Sequence, residues 1–224
     1  LPGMPPPSLP VYLGLHDLYP WRVPGAADHD ALLRWKAPFL TVPFFLIRAA
    51  LYFGIWSFIA LLYYRGSRGQ DTTGDPEVSA RLRRLAGPGI IVLALTSTFA
   101  SIDWIMSLTP HWYSTMFGVY FFAGSFVGFI ALLSVVAAAM RGAGLLDTVI
   151  STEHLHDLGK FLFAFTAFWA YIGFSQFFLI WYANLPEESV WFKARLEGSW
   201  TIVSLLLMAG HFGVPFFYLM GRAV

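Results

Sequence analysis

Five long apolar runs constrain the fold of this chain more than any other feature of its sequence. They lie near residues 42–64, 88–108, 115–140, 158–182 and 199–220. Each run is long enough for a helix that crosses the hydrocarbon core of a bilayer, which takes about 20 residues. None of them alternates between polar and apolar residues as a strand would. The sequence therefore predicts an all-α fold, a polytopic transmembrane bundle with five membrane helices.

The composition agrees with a membrane protein and excludes several classes of function. Charged residues make up 12% of the chain, whereas a soluble domain carries about 25%. A net charge of +1 gives no basis for a nucleic-acid partner. Because the chain has no cysteine, we expect no disulfide, no iron–sulfur cluster, no covalently attached haem and no thiol catalysis.

Residues 1–41 are predicted to be an extramembrane segment, and residues 42–224 the bundle. Eight prolines in the first segment prevent a long helix. Leu1 is not an initiator, and the last residues follow directly on a helix, so we expect a fragment of a longer membrane protein. The neighbouring residues His16–Asp17 and Asp28–His29–Asp30 could hold a metal. They show no recognisable ligand spacing, however, which favours a solvated loop.

The loops are unequal in basic residues. The connections between helices 1 and 2 and between helices 3 and 4, together with the end of the chain, form a first group with eight basic residues: Arg65, Arg68, Arg81, Arg83, Arg84, Arg141, Lys160 and Arg222. The second group holds five: Arg22, Arg34, Lys36, Lys193 and Arg195. The positive-inside rule places the first group in the cytoplasm. Residues 1–41 and 184–198 then face outward.

Two opposite charges fall inside the first two apolar runs. Arg48 lies about six residues into helix 1 and Asp103 about seven residues into helix 2 from the same side, which places both about 10 Å deep. Each charge alone is expensive at that depth, so the sequence predicts a buried ion pair. Two interpretations stay open: a structural pair, or an Asp103 that carries protons under the influence of Arg48.

Other protonatable groups lie along the later helices. His154, His156, Asp157 and Lys160 precede or begin helix 4 and could collect protons or complete the helix end. His211 falls near the middle of helix 5, as a core residue or a relay. The hypothesis of a proton path comprises these groups: Asp103, His154, His156, Asp157, Lys160 and His211.

No pattern in the sequence indicates a catalytic or metal site. Haem b held by two histidines is not expected, because only His211 is clearly within the membrane. The histidines of helix 4 lack a third ligand group for a metal. Gln176 and Asp103 are the candidate quinone-binding residues, in the outer half of the bundle with Arg48.

Four segments carry a resemblance to a known family: LRWKAPFLTVPFFLIRAALYFGIW, SIDWIMSLTPHWYSTMFGVYFFAG, HDLGKFLFAFTAFWAYIGFSQFFLIWYANLPEESVWFKAR and HFGVPFFYLMGR. The pattern DW-x-M-S-L-x-P-H-W, followed by S-Q-x-F-L-I-W-Y-A-N-x-P-E-E, is the most specific part. In these segments the chain resembles the ActF-type membrane subunit of bacterial alternative complex III, one of the NrfD/polysulfide-reductase-like membrane proteins.

This resemblance implies a multi-pass subunit of a quinol:electron-acceptor (cytochrome c) oxidoreductase in the bacterial inner (cytoplasmic) membrane. Such a subunit has no redox cofactor of its own, while haem c and iron–sulfur clusters are on partner subunits. Quinol oxidation, fed by a menaquinol or ubiquinol pool, is ascribed mainly to an ActC-like paralogue. The subunit itself is expected to be a scaffold with a candidate proton path.

Two other functions stay open. The first is a quinone-binding catalytic subunit of the NrfD type, which would use Gln176 and Asp103. The second is a secondary transporter, which paired interrupted helices in two halves would favour. Five spans contain no such repeat.

Overall fold

A computed structural model describes residues 18–28, 30–146 and 149–221 of the chain. Helices dominate this part of the protein, and it contains no strand. The predicted all-α fold class is therefore confirmed. His16–Asp17, His29 and Arg222 lie outside the described residues.

The α-helices are numbered here in chain order. They are α1 (Ala31–Lys36), α2 (Val42–Thr73), α3 (Pro76–Trp104), α4 (Phe117–Gly142), α5 (Thr152–Ala183), α6 (Pro186–Leu196), α7 (Trp200–Leu207) and α8 (Val214–Leu219). Short 3-10 turns cover Pro20–Arg22 and Met106–Leu108, and a π-helical segment, Met208–Gly213, joins α7 to α8.

In the described part of the chain, five helical stretches are long and apolar enough to cross a membrane. They are α2, α3 with its 3-10 extension, α4, α5 and the continuous stretch Trp200–Leu219. The chain is accordingly a multi-pass membrane protein. It divides into two compact units, Leu1–Tyr113 and Ser114–Val224.

The first unit is built on a hairpin of α2 and α3. The helix α2 ends at Gly74, whose φ of 68° is left-handed and suits glycine. The side chain of Asp75 then accepts a hydrogen bond from the Glu77 amide and caps α3. The connection is thus very short. Both helices therefore extend beyond the apolar runs near residues 42–64 and 88–108.

Pro88, at the edge of the second apolar run, does not interrupt α3. It was expected to start a helix, and instead it lies inside α3. A proline within a helix costs about 3 kcal/mol in isolation. Contacts with α2 on both sides of Pro88 hold the helix together, since Tyr63 donates to the Leu82 carbonyl at 3.1 Å and Trp56 donates to Thr96 at 2.9 Å.

The second unit packs α4 closely against α5. A β-carbon at Gly124 would lie 3.1 Å from the indole nitrogen of Trp169, and one at Gly173 would lie 3.0 Å from the ring of Tyr120. Tyr120 and Trp169 themselves stack at 5.2 Å between ring centroids. Glycine at these two positions lets the helices approach.

The last membrane stretch is interrupted by its π-helical segment, which the sequence did not predict. Pro215 lies in the first turn of α8. Its ring would clash with the carbonyl four residues earlier, that of His211, in a regular α-helix. The wider π turn relieves that clash.

Candidate functional site

The first unit contains a buried ion pair between α2 and α3. Arg48 Nε donates to Asp103 Oδ2 at 2.8 Å, and Arg48 Nη2 donates to Asp103 Oδ1 at 2.9 Å. Asp103 is 1% exposed and Arg48 is 8% exposed. Two parallel hydrogen bonds between a guanidinium and a carboxylate form the strongest geometry for such a pair. The structure thus brings together the two residues that the depth argument paired.

Tyr52 completes the coordination of the carboxylate. Its hydroxyl donates to Asp103 Oδ2 at 2.7 Å, and the residue is 5% exposed. Sequence reasoning missed Tyr52, although it lies one helical turn after Arg48 and therefore on the same face of α2. The Asp103 carboxylate accepts three hydrogen bonds, and both of its oxygens are occupied.

The guanidinium of Arg48 has further partners besides Asp103. Its Nη1 donates to the Phe39 carbonyl at 3.1 Å. Its guanidinium carbon lies 3.8 Å from the centre of the Phe39 ring and 4.3 Å from that of Phe44. Cation–π contacts of this kind stabilise a guanidinium that has lost its water. Arg48 therefore connects the segment before α2 to the acid on α3.

An aromatic cluster of α2 and α3 packs beside the ion pair. Tyr52 packs edge-on against Trp104 at 5.9 Å, and Trp104 packs edge-on against Trp56 at 5.8 Å. Phe53 stacks on Trp104 at 5.5 Å. These rings keep water from the pair on that side.

A second polar layer ties the segment before α2 to the turn after α3. Lys36 Nζ donates to the Pro110 carbonyl at 2.6 Å, and Tyr19 donates to the Trp104 carbonyl at 3.0 Å. Asp30 caps α1 and also contacts His111 through a very short hydrogen bond. Asp30, one of the Asp/His residues that could hold a metal, therefore already has partners that stabilise the local structure.

The pKa of Asp30 is lowered by these contacts. The backbone hydrogen bond from Leu33 is the largest cause, followed by the hydrogen bond with the His111 side chain. Burial raises the pKa of Asp30, but its effect is smaller. Within the described ranges, no group of three or more His, Cys, Asp or Glu side chains could bind a metal ion.

The polar cluster at the start of α5 forms a helix cap and a surface pair. The hydroxyl of Ser151 accepts from the His154 amide at 3.3 Å, and the Ser151 amide donates to His154 Nδ1 at 3.1 Å. Asp157 accepts from Lys160 at 3.0 Å, and both side chains are exposed. These contacts fit the capping interpretation, and the proton-collecting hypothesis, which includes His156, stays a prediction.

Gln176 and His211 are the polar groups deeper in the second unit. Gln176 donates to the Ser114 hydroxyl at 2.6 Å and is 8% exposed. His211 lies in the π-helical segment, with its ring 4.4 Å from that of Trp169. Its Nε2 is buried and has no hydrogen-bond partner among the described residues.

The candidate proton path is thus divided between the two units. Asp103 belongs to the first unit, whereas His154, His156, Asp157, Lys160 and His211 belong to the second. A continuous path through these groups stays a prediction.

Comparison with known proteins assigns no family: no family model and no curated protein matches the chain. The function is therefore inferred from the residues and the geometry described above.

Proposed function

We propose that the chain is an integral membrane subunit of a bacterial quinol:electron-acceptor (cytochrome c) oxidoreductase of the alternative complex III type, and that it acts mainly as a scaffold. The observation that carries the scaffold role is the Asp103 carboxylate, which Arg48 and Tyr52 hold through three hydrogen bonds. The proposed setting is the bacterial inner membrane, with a quinol pool in the lipid.

A proton-carrying carboxylate must exchange its proton with water or with a neighbouring acid. Asp103 has no access to water at 1% exposure, and both of its oxygens accept from donors. Removing one partner of such a buried pair typically costs about 3–5 kcal/mol. The energetic role of the cluster is therefore to lock α2, α3 and the preceding segment together.

Residues of two resembling segments build this cluster, which supports the assignment to the complex. Phe39, Arg48 and Tyr52 come from LRWKAPFLTVPFFLIRAALYFGIW, and Asp103 comes from SIDWIMSLTPHWYSTMFGVYFFAG. In the proposed complex, partner subunits hold haem c and iron–sulfur clusters. An ActC-like paralogue oxidises the quinol.

The proton-path role finds its best support in His211. Its buried Nε2 has no hydrogen-bond partner among the described residues, so it keeps free capacity for a proton or a hydrogen bond, which the Asp103 carboxylate does not. Segments like the π-helical one that holds His211 are frequent at functional positions of helices. Asp103 is the weakest member of the proposed path, because its donors leave no room for exchange.

The quinone-binding alternative needs a polar group with free hydrogen-bonding capacity. Asp103 lacks it, so Gln176 is the better of the two candidates, with its amide nitrogen bound to Ser114. The transporter alternative needs paired interruptions. The described residues contain a single π-helical interruption, in the last span.

The test uses the complex isolated with its natural partners and the variant Asp103→Asn. We expect less intact complex in the membrane, with quinol oxidation and charge translocation per assembled complex unchanged. Full assembly combined with lost charge translocation would assign a proton-carrying role to Asp103. Copurification without haem c, iron–sulfur clusters or quinol oxidation would refute the assignment to this class of complex.

A further inference from the structure

The hairpin of α2 and α3 extends beyond the part that fits a bilayer core. A helix that enters the core at Val42 leaves it about 20 residues later, near Leu62. Counted back from Leu108 over the same length, α3 reaches the same boundary near Pro88. Both helices continue beyond these points as one hairpin that turns at Gly74.

Five exposed arginines surround the hairpin just beyond this boundary: Arg65, Arg68, Arg81, Arg83 and Arg84. The helices α2 and α3 are in close contact at this level, because a β-carbon at Gly66 would lie 3.1 Å from the Leu82 side chain. At a rise of about 1.5 Å per residue, the arginines lie about 4–11 Å past the core. The phospholipid headgroup layer is about 5–8 Å thick on each side, so the collar backbone lies in it and just beyond it, within reach of long arginine side chains. We call these five residues the arginine collar.

The acidic residues of the hairpin lie elsewhere. Asp71, Asp75 and Glu77 are near its tip, further from the core than the arginine collar. Among the described residues, Arg84 is the one collar residue with an acidic partner, and its contact with Glu77 is 3.7 Å long between two strongly exposed side chains. A pair of this kind contributes little. The collar is therefore a cluster of positive charge with little compensation from acidic side chains.

The basic residues at the opposite end of the hairpin are used differently. Arg34 donates to the Asp28 carbonyl at 2.7 Å, and Lys36 donates to the Pro110 carbonyl. Arg48 is paired with Asp103. Those cations contact groups of other segments of the first unit. In the collar, the contacts of Arg68 and Arg84 among the described residues are with their own helix or the adjacent tip, through the Tyr64 hydroxyl, the Ala80 carbonyl and Glu77, and all five side chains are exposed.

We propose that the arginine collar is a binding surface for anionic phospholipid headgroups. The guanidinium groups have the charge and the forked donors that bind phosphate oxygens. The depth of the collar places them where lipid phosphates are found. Tyr64, 58% exposed beside the collar, suits the same interfacial layer. This inference needs the membrane location alone and is independent of the proposed oxidoreductase function.

The test measures lipid preference in native mass spectrometry. The protein, isolated with its natural partners, is exposed to equal amounts of phosphatidylglycerol and phosphatidylcholine. We expect preferential retention of phosphatidylglycerol. The double variant Arg81→Gln/Arg84→Gln should lower that preference, by up to about fivefold for each arginine. The double variant Arg81→Lys/Arg84→Lys should keep most of it, because the charge remains.

The matched control is Lys193→Gln, a strongly exposed cation on α6 outside the collar. It is compared with the single variant Arg81→Gln, which also serves if the double variant fails to fold. An equal preference in wild type and Arg81→Gln would overturn the proposal. So would an unchanged lipid preference accompanied by loss of a partner subunit, because the collar would then bind an acidic protein surface.

Discussion

Removal of the Arg48 guanidinium is the perturbation whose consequence follows most directly from the structure. In the variant Arg48→Met, the Asp103 carboxylate keeps the hydrogen bond from Tyr52 and loses the two charged donors at 2.8 and 2.9 Å. At 1% exposure, water cannot replace them. Leaving one member of a buried ion pair without its partner, here Asp103, costs about 3–5 kcal/mol of unfolding free energy.

The double variant Arg48→Met/Asp103→Leu gives the control. It removes both charges and replaces them with apolar side chains, so no charge stays buried without a partner. The remaining loss of stability comes from the Tyr52 hydroxyl and the Phe39 carbonyl, which no longer have a hydrogen-bond partner, at about 1–3 kcal/mol each. We therefore expect the double variant to be more stable than the sum of the two single substitutions predicts.

The assay is reversible unfolding in mixed micelles, followed by tryptophan fluorescence, for wild type, the two single variants and the double variant. The four unfolding free energies form a double-mutant cycle. A coupling free energy near zero would refute the reasoning. An Arg48→Met variant as stable as wild type would refute it as well, since the carboxylate would then have another source of compensation.

The other predictions concern the neighbourhood of the ion pair and the packing of the second unit. Tyr52→Phe should lower the unfolding free energy by about 1.5–3 kcal/mol, the value of a hydrogen bond to a charged group, in the same micelle assay. Because the pKa of Asp30 is lowered in the folded protein, this carboxylate takes up a proton at a higher pH in the unfolded chain than in the folded one. The contribution of Asp30 to stability is therefore complete above its ordinary pKa and is lost as the pH falls through the lowered pKa. Unfolding measured against pH should show this loss in wild type, and Asp30→Asn should remove it; equal profiles would contradict the assigned contacts. Gly124→Ala should destabilise by about 1–3 kcal/mol, because Trp169 is packed between the stacked ring of Tyr120 and the edge-on ring of His211 and has little freedom to move away. Gly128→Ala, with open space around its β-carbon, is the matched control and should be neutral or stabilising; equal losses in both variants would exclude the proposed close approach.

Depth along a helix made the ion pair predictable from sequence. The rise per residue is fixed, and two neighbouring antiparallel helices share one boundary, so equal counts from that boundary place Arg48 and Asp103 at the same level. The third member, Tyr52, was within reach of the same argument. It occupies the next turn of the face that carries Arg48, and a buried carboxylate has room for a further donor.

The length of the hairpin and the form of the last span were harder to predict. Apolar runs mark where a helix meets lipid, but they do not mark where it ends, and nothing before Gly74 stops α2. Pro88 is a local signal for a helix start that tertiary contacts override. The contact between Asp30 and His111 joins residues far apart in the chain, and no spacing in the sequence indicates it.

The most direct test of the central claim is an infrared difference spectrum of the assembled complex before and after quinol addition, with Asp103→Asn used to assign the band of this carboxyl group. The claim is that Asp103 is a structural member of the ion pair with Arg48 and not a proton carrier. We predict that no band of a protonated carboxylic acid assigned to Asp103 is gained or lost on quinol addition. The gain or loss of such a band, absent in Asp103→Asn, would contradict the claim and make Asp103 part of a proton path.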